Sequence, residues 1–159
     1  MTLDQGQLER LRYLCRIVSK EITHLQYSEG KLFAGGFDEE KAAQLDTNPD
    51  LAEVLDAYVG RFCRLQDTVG DKLLVAWLKA TQEKVGVAID NLDRAEKLGY
   101  LESSDTWLEL RRIRNQMIHE YIEDAGQLSQ AINLSKDNIP LIVNFAQKLI
   151  SDLQGRFDI

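Results

Sequence analysis

Between Arg111 and Tyr121 the chain reads Arg-Arg-Ile-Arg-Asn-Gln-Met-Ile-His-Glu-Tyr, which places three guanidiniums, an amide, an imidazole and a phenol within about three helical turns. A guanidinium binds phosphate through two parallel N–H bonds and stabilises negative charge that develops on a phosphoryl group. An imidazole that titrates near neutrality takes a proton from a ribose 2′-hydroxyl or gives one to a leaving oxygen. Together these groups suit RNA cleavage by attack of the 2′-oxygen, with no metal and no cofactor required. Arg114 and His119 are the candidate catalytic pair. Arg111 and Asn115 are candidate substrate-binding groups, and Asn115 can also orient the imidazole. Tyr121 can stack on a base or bond to phosphate. The competing reading is a basic helix face whose arginines pair with carboxylates and whose His119 and Tyr121 pack half-buried.

Helical register constrains the chemistry. Residues seven apart are offset by only about 20°, so Arg114 and Tyr121 share a face. Asn115 and His119, four apart, share a neighbouring one. Arg114 and His119 differ by roughly 140° on a straight helix. They reach one small ligand only where the helix ends, kinks or bulges, or where a second subunit closes the site.

The elements that must position this segment are all helical. From about Asp4 to Tyr27, Leu8, Leu11, Cys15, Val18, Ile22 and Leu25 form one amphipathic stripe. His24 lies beside that stripe with no ligand-spaced partner, and reads as structural or solvated. Gly30, Gly35 and Gly36 predict a loop over 28–37, with neither the preceding strand nor the Lys-Ser/Thr of a phosphate loop. A short helix is expected from Phe37 to Leu45. Asn48 or Asp50 can cap a second long helix, with Pro49 in its first turn. Its stripe is Leu51, Val54 or Leu55, Tyr58, Phe62, Leu65, Val69, Leu73 and Ala76 or Trp77. Gly60 and Gly70 weaken it by about 1 kcal/mol each relative to Ala, or admit a close neighbour. Arg61, Arg64, Asp67 and Asp71 are spaced for ion pairs within the helix.

A third helix is expected from Gln82 to Leu98, stopped by Gly99, with Val85, Ala88 or Ile89, Leu92 and Ala95 inward. Ser103, Ser104 and Asp105 then cap a fourth, from about Thr106 to Tyr121, in which Trp107, Leu110, Met117 and Ile118 are free to pack. The polar, glycine-bearing stretch 123–129 reads as a turn or a frayed end. Asp137 or Asn138 caps the last helix, with Pro140 in its first turn and Leu141, Ile142, Phe145, Leu149 and Leu153 on one face. No strand-like alternation, repeat or low-complexity tract occurs. The expectation is an all-α bundle of about five helices.

The bulk numbers agree with that. The 159 residues suffice for one domain with a real core, and the 44% hydrophobic and 28% charged fractions are ordinary for a soluble chain. The longest apolar runs are too short to span a membrane, and the first residues, with Asp4 and Glu9, lack a signal-peptide pattern, so a cytoplasmic location is expected. Cys15 and Cys63, 48 positions apart, have no metal-ligand spacing and read as inert, buried thiols. The net charge of −7 argues against broad binding to nucleic acid, while leaving room for a small basic cleft.

The order Arg114-Asn115-x-x-x-His119-x-Tyr121 resembles the R-x4-H-x-Y motif of the HEPN superfamily, and in particular its HepT-like members. The likeness continues upstream through 95–101 and through Trp107-Leu108-Glu109-Leu110, which is similar to that family's helix, glycine and helix ahead of the motif. More loosely, Arg61 and Phe62 followed by Asp67 and Asp71 resemble the long helix behind the motif. The resemblance spans roughly Leu51 to Leu153 and is tightest over Ala95 to Tyr121. It implies a single HEPN-like domain over 1–159, with an N-terminal helix and loop over 1–50 and the motif-bearing bundle over 51–155. It also implies an up-and-down bundle with a four-helix-bundle-like core, dimerising so that two motif helices face one cleft.

In catalytic members the arginine and histidine carry metal-independent RNase activity, and the proteins act as toxins. A minimal nucleotidyltransferase is the cognate antitoxin, and in some systems it adenylylates the motif tyrosine. Carried over, Arg114 binds the scissile phosphate and His119 is the acid–base group. Asn115 and Tyr121 assist, and Tyr121 is a possible modification site. The resemblance thus favours an endoribonuclease toxin acting as a homodimer on RNA with a nucleotidyltransferase partner. The alternatives are a non-catalytic dimeric module that binds a nucleotide or such a partner, and a plain helical scaffold.

Overall fold

A computed structural model of the chain describes residues 2–119 and 123–159, with the backbone alone for His119. Among the described residues every regular element is helical: α1 (Gln5–Leu32), α2 (Glu39–Ala43), α3 (Pro49–Asp67), a π-helical segment (Thr68–Leu73), α4 (Leu74–Ala80), α5 (Ala88–Lys97), α6 (Ser104–His119), α7 (Ala125–Asp137) and α8 (Ile139–Arg156). Five of these, α1, α3, α6, α7 and α8, run to 13 residues or more, as an all-α bundle of about five helices requires. No described helix is long and apolar enough to cross a membrane. The fold divides into two compact units. One comprises Met1–Ile22, Leu65–Ser104 and Pro140–Ile159, and the other comprises Thr23–Arg64 and Asp105–Ile139.

In the first unit, Leu11, Leu14, Val18, Leu73, Trp77, Leu92, Phe145 and Leu149 are all buried. The π-helical segment answers a feature of the sequence. After Leu65 the apolar residues step by four three times running, to Val69, Leu73 and Trp77, and each such step advances an α-helical face by about 40°. A wider i→i+5 turn takes up that excess, so all four side chains stay buried. Gly70, a poor helix former, sits inside it.

Asp152 of α8 is the polar hub of this unit. Its carboxylate accepts from buried Trp77 Nε1 (2.7 Å), from the Tyr100 hydroxyl (3.0 Å) and from Arg156 Nε (2.8 Å). The Trp77 and Tyr100 rings lie 4.7 Å apart.

The third expected helix begins six residues late. Residues 82–87 form a non-helical turn, and Val85, Ala88 and Ile89, expected inward, are all exposed. Gly86 donates to buried Asn91 Oδ1 at 2.7 Å and accepts from its Nδ2 at 3.1 Å, which fixes that turn without apolar packing. Gly99 stops α5 as expected. At φ +85° its N–H donates to Glu96 O and that of Tyr100 to Ala95 O, the paired bonds of a Schellman cap. The end of α4 has the same pattern, with Gln82 N–H on Lys79 O and Glu83 N–H on Leu78 O, but a glutamine at φ +60°. Replacing Gln82 with Gly should therefore raise the unfolding free energy by roughly 0.5–1 kcal/mol. Urea denaturation measures this, and an unchanged or lower midpoint would contradict it.

In the second unit, α1 continues to Leu32 instead of ending at Tyr27, because buried Leu25, Ser28 and Leu32 extend its stripe past Gly30. The loop shrinks to the turn 33–38, where Gly35 and Gly36 both take positive φ. Lys41 Nζ then donates to the Leu32 and Gly36 carbonyls, which caps the end of α1. Asp38 caps α2 and Asn48 Oδ1 caps α3 through the Leu51 N–H. Arg61 does not make the expected pairing within its helix. It donates to the His24 carbonyl (3.1 Å) and to Ser28 Oγ (2.7 Å) on α1. Nothing lies within 4 Å of a Cβ built on Gly60, so no element exploits its small size.

The stretch 123–129 is not a frayed end. Asp124 accepts from the Gln127 N–H at 2.9 Å and starts α7, which packs on α2. Asn133 ties that pairing by donating to the Phe37 carbonyl at 2.6 Å.

Tyr58 and Ser135 hydroxyls meet at 2.7 Å inside this unit, and Ser135 Oγ donates onward to Ile132 O. Burial pushes the Tyr58 phenol well above its ordinary range. A raised phenol stabilises the fold below about pH 10 and that contribution is lost as pH rises above it. In an alkaline titration read at the phenolate absorbance, one of the five tyrosines should resist ionisation until the chain unfolds, and Tyr58→Phe should remove that late step. A late step that survives in the variant would contradict the assignment.

Candidate functional site

The motif rides on α6, and the reasons for its shape are local. Ser104 Oγ donates to Asp93 Oδ1 at 2.7 Å and its N–H donates to Glu96 Oε1 at 2.9 Å, which anchors the helix start. Trp107, Leu110, Ile113 and Met117 then fall on one side and are buried at 2% exposure or less. From Ser104 to His119 the α-helix is uninterrupted. The kink or bulge that would merge Arg114 and His119 is therefore absent from α6 as described, and the two positions stay about 140° apart around its axis.

Register sorts the motif onto two faces. Arg111, Arg114 and Ile118 share one (steps of three and four). Both arginines there are half-buried beside the apolar stripe, and Ile118 is 45% exposed. Arg112, exposed Asn115 and position 119 share the other. Arg112 is committed to Glu109, with Nε 3.1 Å from Oε2 and a second contact to Oε1. That hydrogen bond holds the Glu109 carboxyl below its usual range and the guanidinium above its own. Tyr121 lies outside the described residues, as does the His119 side chain. Arg111 has Arg114 three and Asn115 four residues further on, so these three neighbour one another along α6, whereas Arg114 and position 119 do not.

Four cavities of about 360 to 700 Å³ occur among the described residues, and the motif residues line none of the four. The one of about 700 Å³ lies beside Tyr100, Glu102, Phe145, Lys148 and Asp152. No three His, Cys, Asp or Glu side chains among the described residues converge to hold a metal ion. Cys15 and Cys63 are both buried as free thiols, and burial raises the Cys15 pKa.

Sequence reasoning passed over one charged group. From Arg10 to Lys20 the chain has four cations and no acid, in a protein with seven more acids than bases (26 against 19). The apolar stripe of α1 drew attention, and the segregated charge on its other side was the missed signal. Compared with models of protein families, with curated proteins and with solved structures, the chain matches none.

Proposed function

We propose that the chain is a HEPN-type endoribonuclease toxin whose active site is completed by a second copy across the motif helices. The observation that carries this reading is the regular α6, which holds Arg114 and position 119 on different faces. As far as His119 a single straight α6 does not bring the two groups together, and a neighbouring helix that supplies the missing partner does. Exposed Ile118, between half-buried Arg111 and Arg114 in register, gives that neighbour an apolar contact.

In such a site Arg114 of one copy works with His119 of the other. The 2′-oxygen attacks phosphorus, the bond to the 5′-oxygen breaks, and the products are a 2′,3′-cyclic phosphate and a 5′-hydroxyl. The His119 imidazole takes the 2′-hydroxyl proton and passes a proton to the leaving 5′-oxygen, so the step is proton-neutral with one histidine per site. Arg114 neutralises charge on the non-bridging oxygens. Asn115, on the face of position 119, orients the base, and Tyr121 assists or accepts a modification from a nucleotidyltransferase partner. The net charge of −7 fits a toxin held by a partner better than a free, indiscriminate nuclease.

The second reading is a non-catalytic dimeric module that binds a nucleotide or a nucleotidyltransferase. Incubating purified protein with labelled RNA in EDTA separates the two. Cleavage leaving 2′,3′-cyclic phosphate ends supports the nuclease, and intact RNA with a folded dimer supports the module.

A further inference from the structure

A cavity of about 470 Å³ beside α1 is lined by Arg12, Arg16 and Lys20 together with Cys15, Gln154 and Ile159. The three cations are spaced four residues apart, about 6 Å of helix rise each. Arg12 is already engaged, with Glu9 and with the Asp158 carbonyl at 2.7 Å. Arg16 and Lys20 are exposed and have no ion-pair partner among the described residues. In a chain with seven excess carboxylates, two adjacent cations without one are a local reversal of sign. Tyr13, 46% exposed, stands one step of seven before Lys20 on the same face, and Arg10 lies over its ring at 5.7 Å from the centroid.

We infer that this α1 groove, with Tyr13 on the helix face beside it, is a track for single-stranded RNA, with Arg16 and Lys20 on successive phosphates and Tyr13 stacking on a base; the inference rests on the nuclease reading for its choice of polyanion. Cations at regular rise beside an exposed aromatic ring are what sequence-independent single-strand binding needs. A compact anion would occupy one cation and leave the ring unused. The small size of the groove, two phosphates and one base, also reconciles local RNA contact with an acidic body.

The test measures binding of a 2′-O-methyl oligoribonucleotide, which lacks the attacking hydroxyl and stays intact whether or not the protein is a nuclease. Wild type, Arg16→Gln/Lys20→Gln and Tyr13→Leu proteins are titrated between 50 and 300 mM salt, about 0.7 units of salt slope being expected per phosphate contact. The double variant should bind on the order of tenfold more weakly at low salt, with the slope shallower by about 1.4. Tyr13→Leu should weaken binding roughly tenfold at unchanged slope. Wild-type binding that both variants retain would overturn the track while leaving the nuclease reading to the cleavage assay. No binding by wild type would overturn it too. Equal displacement by polyglutamate would assign the groove to an acidic protein instead.

Discussion

On the proposed nuclease reading, His119→Ala should lower metal-free RNA cleavage by about 10²–10⁴-fold, the usual worth of a positioned acid–base group, without loss of fold or of the proposed dimer. Arg114→Ala should cost about 10²–10³-fold by removing charge stabilisation from the transition state. The sharper result comes from mixing. If Arg114 of one protomer works with His119 of the other, a mixed dimer of the two variants keeps one intact combination out of two. Random exchange makes half of the dimers mixed, so about a quarter of wild-type activity should return from two inactive proteins. A site built within one chain gives no recovery, because every protomer then carries a defect. The uninterrupted α6 argues for recovery. Absence of recovery between variants shown to exchange subunits would sink the composite site, whatever the single variants do.

Asp152→Ala should lower the unfolding free energy by roughly 2–4 kcal/mol, the largest polar effect expected in this chain. Its carboxylate is the acceptor for Trp77 Nε1, and Trp77 is 1% exposed, so truncation strands a buried donor. An orphaned donor of that kind costs about 1–3 kcal/mol, and loss of the Tyr100 bond adds about 1. Arg156, half-exposed, contributes little. Asp152 also borders the cavity of about 700 Å³, so water entering the vacated space sets the lower end of the range. Asp152→Asn keeps an acceptor and should cost only about 1 kcal/mol. A double-mutant cycle with Trp77→Phe makes the attribution: the phenyl ring needs no acceptor, so Asp152→Ala should cost less in that background. Equal cost in both backgrounds would remove the Trp77 bond from the account.

Much of the helical frame was legible because its signals are local. Asn48 ahead of Pro49, Gly99 after Lys97, and the stripe Leu141, Ile142, Phe145, Leu149 and Leu153 each declare a start, a stop or a buried face within a few residues. The candidate motif was legible for the same reason, as residue types in a short window.

What tertiary structure decided is of a different kind. The stretch that became α7 looked like a turn because it is polar. Its Ser129, Asn133 and Ser135 side chains bond to Gly126, Ser129 and Ile132 carbonyls, and that makes them compatible with a packed helix. Gly30 looked like a breaker, but buried Leu32 outweighs its cost of about 1 kcal/mol. The steps of four after Leu65 were visible, yet only packing makes a π turn preferable to exposing one of those side chains. The sorting of Arg114 and position 119 onto separate faces follows from α6 staying regular. By itself the sequence determined the helical class, the caps and the chemistry gathered on one segment, since each depends on neighbours along the chain. Burial energy, which depends on neighbours in space, decided where helices bend, where they persist and which functional groups a single chain keeps apart.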